Sequence, residues 1–188
     1  MVLNVVQYEE INVLLQQVPQ LVDRLQERRS DYPAAVLSWL RRAETAMENN
    51  RLPASSQLAA CRAVLLEADR GVRHPEIEFT GRPTARKVRD AAASWVLERS
   101  SALLHSVIAE RQAVFQEAER IAQQVVAVAV AKGLLERCAG LPHQQFLECV
   151  QRQVAQDPDL ASVHTHLVAL VGRTDELIFV DRALGRIG

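Results

Sequence analysis

Along much of this chain apolar residues recur three and four positions apart, and proline and glycine punctuate the runs. Val5, Val6, Ile11, Leu14, Leu15, Val18, Leu21, Val22 and Leu25 follow that spacing, with Pro19 placed to break or kink the helix they form. A second helix is predicted from SDYPAAVLSWLRRAETAM. Ser30 or Asp31 can cap it, Pro33 fits its first turn, and Val36, Leu37, Leu40, Ala43 and Met47 share one face. A third is predicted after Pro53, capped by Ser55 or Ser56, with Leu58, Cys61, Val64, Leu65 and Ala68 inward and Gly71 as its stop.

The next long stretch contains QQVVAVAVAKGLL, Gln123 to Leu135, whose alternation of valine and alanine suits a strand as well as a helix. Its context decides for helix. From Thr84 to about Cys138 there is no proline and only Gly133 among glycines, and Leu104, Val107, Val114, Ala118, Ile121, Val125 and Val128 keep the helical spacing. Large and small members of VVAVAVA are all apolar, so that segment is expected to be buried on most sides. A helix of roughly 50 residues is on the order of 75 Å long, about twice the reach of a compact domain this size, so part of it should project. Arg111 falls where the stripe calls for an apolar residue. A further helix is expected over LPHQQFLECVQRQVA, with Phe146, Leu147, Val150 and Val154 inward. SVHTHLVAL and ELIFVD are short, β-branched or aromatic and separated by the turn-like GRTD, so a small β element is expected there.

The resulting fold class is mainly α: an N-terminal helical bundle over 1–71, a linker over 72–83 containing VRHPEIEFTGRP, and a long projecting helix with a C-terminal head over 84–188. The alternative is a compact all-helical ligand or metal binder whose long helix breaks near Glu110 and folds back.

Composition narrows the partners. The 188 residues are 48% apolar, enough for a core, and the net charge of -1 removes any global attraction to nucleic acid or an acidic membrane. No basic leader precedes the apolar residues of MVLNVVQYEE, and the longest fully apolar run, Val125 to Ala131, is too short to insert into a bilayer. Cys61, Cys138 and Cys149 are an odd, sparse set, read as unpaired thiols in a cytoplasmic protein. Arginine outnumbers lysine 20 to 2, which reads as genome composition more than as selection for forked contacts.

Candidate chemistry is regional. Arg70, Arg73, Arg82, Arg86, Lys87 and Arg89 face only Glu76, Glu78 and Asp90 nearby, and Arg86, Lys87 and Arg89 open a helix whose dipole favours acids there. The bland reading is a solvated basic face. The functional one is an acidic protein surface as partner, since no aromatics interleave with the arginines for base stacking. Cys138, His143, Cys149, His164 and His166 suit zinc by type but show no tight ligand spacing, so neither metal nor cofactor is expected. No nucleophile elbow, phosphate loop or distinctive carboxylate pair occurs, and an enzyme is not expected. Trp39 and Trp95 read as core or interface anchors.

The order from ASWVLERSSALLHSVIAERQAVFQEAERIAQQ through VVAVAVAKGLL and QQFLECVQRQVA to SVHTHLVALVGRTDELIFVDRALGRIG resembles the stator proteins of type III secretion ATPases, relatives of the flagellar export stator and of rotary-ATPase peripheral stalks. The resemblance covers roughly residues 84–188. It implies a homodimer through the long helix, an ATPase bound at one end, a secretion-apparatus partner at the other, and no catalysis in this chain. The function expected is therefore that of a helical adaptor. Leu104, Val107, Val114, Ile121 and Val125 are its oligomer seam, and the basic cluster is its partner surface.

Overall fold

The computed structural model describes residues 3–78 and 84–186. Among them are eight α-helices: α1 (Val5–Gln16), α2 (Val18–Gln26), α3 (Tyr32–Asn49), α4 (Ala54–Asp69), α5 (Ala85–Ala131), α6 (His143–Gln156), α7 (Ala161–Val171) and α8 (Arg173–Gly185). One 3-10 turn, Glu136–Cys138, precedes α6, and no strand occurs among the described residues. The protein is mainly α.

The chain divides into two compact units, Val6–Ala109 and Met1–Val5 with Glu110–Gly188. Helix α5 contributes to both. These bounds differ from the expected division at 72–83, of which 79–83 lie outside the described residues, because the first part of α5 is integral to the N-terminal unit. Val88, Ala92, Ala93, Val96, Leu97 and Leu104 are all buried, and the Tyr32 hydroxyl on α3 lies 3.3 Å from Ser94 Oγ on α5.

In the N-terminal unit the break at Pro19 falls as the sequence predicts, between α1 and α2. It leaves the Leu14 carbonyl at the end of α1, where it accepts the buried Trp39 indole N–H at 2.9 Å. Helices α3 and α4 form a hairpin in which Arg62 grips the nearly buried Glu44 through two parallel bonds, Nε to Oε2 at 2.7 Å and Nη2 to Oε1 at 3.1 Å. Asp31 precedes α3 but makes no cap; its carboxylate takes Arg24 at 2.5 Å and Arg29 at 3.3 Å. Helix α4 begins at Ala54, ahead of the serines expected to cap it, and Ser56 Oγ bonds back to the Pro53 carbonyl at 3.1 Å.

Helix α5 is continuous over 47 residues, so the predicted helical state of VVAVAVA holds and the break near Glu110 is not realised. Its end corrects the expectation of burial on most sides: Val125, Val126 and Ala129 are buried, while Val128 and Val130 are 39% and 41% exposed. It stops at Ala131 because Gly133, at φ +67°, turns the chain so that the Leu134 N–H reaches the Ala129 carbonyl at 3.0 Å. Arg111, out of place in the stripe, is accounted for within the C-terminal unit. Its Nε donates to the Leu3 carbonyl at 3.1 Å and its guanidinium lies 4.8 Å from the Phe115 ring centre.

The expected β element is corrected too: SVHTHLVAL and ELIFVD form α7 and α8, with only Gly172 between them. Glu176, Phe179, Val180 and Ala183 are buried at helical spacing, so tertiary burial overrides local β propensity. Phe179 meets Phe115 of α5 with ring centres 5.8 Å apart. Lys132, just beyond α5, bridges Asp157 at 2.7 Å and Asp159 at 2.6 Å, which raises the lysine pKa and lowers that of Asp157.

The same left-handed helix ending occurs after α3, where Arg51 at φ +54° lets the Leu52 N–H reach the Met47 carbonyl at 2.8 Å. A left-handed non-glycine residue costs roughly 1 kcal/mol. Arg51→Gly is therefore expected to raise stability, and Gly133→Ala to lower it, by about 1 kcal/mol each in urea unfolding at unchanged slope. Equal midpoints for wild type and both variants would contradict this account of the helix ends.

Candidate functional site

The basic residues singled out in the sequence partly converge. Helix α5 opens at Thr84, whose carbonyl takes the Val88 N–H at 2.9 Å and whose Oγ1 takes the Lys87 N–H at 3.3 Å. That turn presents Arg86 and Lys87 into a groove of about 640 Å³ whose opposite wall carries Arg28 and Arg29 from the end of α2. A smaller groove of about 310 Å³ shares Arg86 and Asp90 and adds Arg89 and Asp69. Arg70 and Arg73 are exposed at the end of α4 and just beyond it and line neither groove; Arg82 lies outside the described residues.

Arg28 and Arg29 were not singled out in the sequence, where they stand 57 or more positions before Arg86 with no motif to link them. The structure joins them through the backbone. Arg28 adopts φ +54°, closing α2 so that the Arg29 N–H reaches the Arg24 carbonyl at 3.0 Å, and this turns the Arg28 carbonyl to accept Arg86 Nη2 at 2.5 Å. Asp90, one turn further along α5, holds Arg86 Nε at 3.5 Å. Tyr32 forms part of the floor; burial raises its hydroxyl pKa, the Ser94 hydrogen bond lowers it and Asp90 raises it again. Arg29 is tied to Asp31, but Lys87, Arg28 and Arg89 make no ion pair among the described residues. Unopposed cations beside the positive end of a helix dipole concentrate positive potential in one cleft.

The expected oligomer seam is distributed differently. Leu104, Ile121 and Val125 are buried within the protein, whereas Val107 and Val114 keep part of their surface exposed. Trp39 is core. Trp95 is half-buried beside a groove of about 540 Å³ that Cys61 and Val64 also line, with the Arg99 guanidinium 5.1 Å from its ring centre and the His74 ring at 5.4 Å. Val64, expected inward on α4, faces this groove instead.

The cysteines and histidines do not converge on a metal. Cys138 and Cys149, read as unpaired thiols, form a disulfide with Cα atoms 5.8 Å apart, and Cys61 remains a buried thiol. A spacing of 11 residues carries no pairing signal; the fold closes it by returning α6 past the 3-10 turn. His143 pairs with Asp181 at 3.1 Å, His164 faces Glu176 at 3.2 Å and His166 is exposed. Among the described residues no three of these ligand types meet, and no helix is long and apolar enough to cross a membrane.

No protein-family model, curated protein or solved structure matches the chain.

Arg28 sets two roles against each other, since its backbone conformation favours glycine while its side chain adds charge to the cleft. Arg28→Gly is expected to raise stability by about 1 kcal/mol while weakening retention of the protein on a heparin column. Lower stability would mean that the Arg28 side chain holds the turn.

Proposed function

We propose that this protein is a non-enzymatic helical adaptor that captures an acidic segment of a protein partner in the cleft at the start of α5. The observation that carries the reading is the convergence of Arg28 and Arg29 with Arg86 and Lys87 on one groove. A groove of that size takes a few side chains of an extended peptide, and arginine forks suit carboxylates geometrically. Aromatic stacking faces for bases are missing from its lining, which carries Tyr32 buried in the floor, so a carboxylate-bearing peptide is favoured over single-stranded nucleic acid.

The resemblance of residues 84–188 to type III secretion stators makes an ATPase or another secretion-apparatus component the partner class to try first. A cytoplasmic location belongs to that reading, and the Cys138–Cys149 disulfide weighs against it. A homodimer through α5 belongs to it as well. With Leu104, Ile121 and Val125 buried in the protomer, such pairing would rest on Val107 and Val114.

Two measurements test the proposal. A fluorescently labelled peptide of alternating glutamate and glycine is expected to bind with an affinity that falls as salt is added, and the Arg86→Glu, Lys87→Glu double variant to lose at least about tenfold of it. Unchanged affinity in the folded variant, or tighter binding of a single-stranded oligonucleotide of equal charge, would remove the cleft from consideration as a peptide site. For the dimer, Val114→Asp is expected to lower the mass seen by light scattering; the same mass in a folded variant ends the seam.

A further inference from the structure

The first turn of α8 carries two adjacent carboxylates into the interior of the C-terminal unit, and they are held differently. Asp175 Oδ2 accepts the buried Val5 N–H at 3.0 Å. Glu176 is fully buried where α6, α7 and α8 meet. Its Oε2 accepts the Gln151 amide of α6, and its Oε1 faces Nε2 of His164 on α7 at 3.2 Å. Neither Oε1 nor Nε2 makes an aligned hydrogen bond among the described residues. Arg173, on α8 itself, also acts on the carboxylate.

A carboxylate closed off from water with one oxygen unaligned is expensive to keep ionised. A proton on Oε1 changes the chemistry of the junction. It removes the buried charge and turns an acceptor-only oxygen into a hydroxyl. One proton thus decides whether three helices meet over a neutral carboxyl or over a buried charge.

We propose that the Glu176–His164 junction is a proton-binding site that sets how tightly α6, α7 and α8 pack, so that this part of the protein loosens as the pH rises. Burial pushes the Glu176 carboxyl above its ordinary value of 4.5, and the Gln151 hydrogen bond, His164 and Arg173 offset only part of that. The direction of the pH dependence follows. An unfolded chain releases this proton near 4.5, whereas the folded chain keeps it to a higher pH. Between those two values the folded state binds more protons, so the stabilisation is complete below the unfolded value and is lost as pH rises through the folded one.

The test is carboxyl carbon-13 NMR on the full chain, with the Glu176 resonance assigned through its own backbone so that no variant is needed. The expected midpoint lies above 4.5. Amide exchange in α6–α8, corrected for its intrinsic rate, should accelerate through that midpoint by at most about tenfold per pH unit, as one linked proton allows. Amides of α3 and α4 should not follow. Glu176→Gln should abolish the dependence, and His164→Gln, which removes the positive neighbour, should move the midpoint further up. A midpoint at or below 4.5, no upward movement in His164→Gln, or acceleration shared equally by α3 and α4 would overturn the proposal.

Discussion

Helix α5 can satisfy its own backbone hydrogen bonds, but not its own apolar face. Forty-seven residues of helix in water gain little beyond the cost of ordering them, so the stability of the element must come from what covers it. Within the N-terminal unit the covered stripe runs through Val88, Ala92, Val96 and Leu104. Within the C-terminal unit it runs through Phe115, Ala118, Ile121, Val125 and Ala129. The other helices of each unit bury their own stripes alongside these, and both ends of α5 carry charged groups. Its start carries the basic cleft; its end carries Lys132 between two aspartates.

The C-terminal unit pairs that apolar packing with an unusual density of polar closure. Two neighbouring carboxylates of α8 are buried, one accepting a backbone N–H and the other accepting the Gln151 amide while its second oxygen faces His164. Arg111 closes the same unit from α5, stacking on Phe115 while bonding the Leu3 carbonyl. Groups of this kind add little net stability compared with well-packed apolar ones, because desolvation consumes most of the gain. Their contribution is to select one arrangement, since a carboxylate left unanswered in any alternative packing costs the whole of its desolvation. They also make the arrangement responsive to protons, which an apolar junction cannot be.

Helix positions were legible in the sequence where apolar period and breaker agreed. Pro19 and Gly133 mark helix ends, and VVAVAVA is helical because its neighbours on both sides are. Legibility failed where a polar residue occupied the stripe. Glu176 begins the buried series completed by Phe179, Val180 and Ala183, and with a charge in first place ELIFVD looks like a short strand. Arg111 likewise looks like an interruption until Leu3 and Phe115 are seen beside it. The site divided along the same line. Arg86 and Lys87 could be found because they are adjacent on one helix, whereas Arg28, Arg29 and the Cys138–Cys149 bond depend on a chain return that no spacing encodes.

The two arginines at left-handed helix ends bear on whether the cleft is more than a solvated face. Arg28 and Arg51 adopt the same φ, +54°, in the same kind of helix terminus, each where glycine would be more stable. At Arg51 the structure offers no return for that cost: the side chain is exposed and makes no ion pair among the described residues. At Arg28 the strained peptide turns its carbonyl onto Arg86 and sets a further cation across the groove from Lys87. A protein optimising stability alone would lose both arginines with equal ease. What separates them is position: Arg28 lines the groove with Arg86 and Lys87, so under the proposed binding role the added cation is the return for the strained turn.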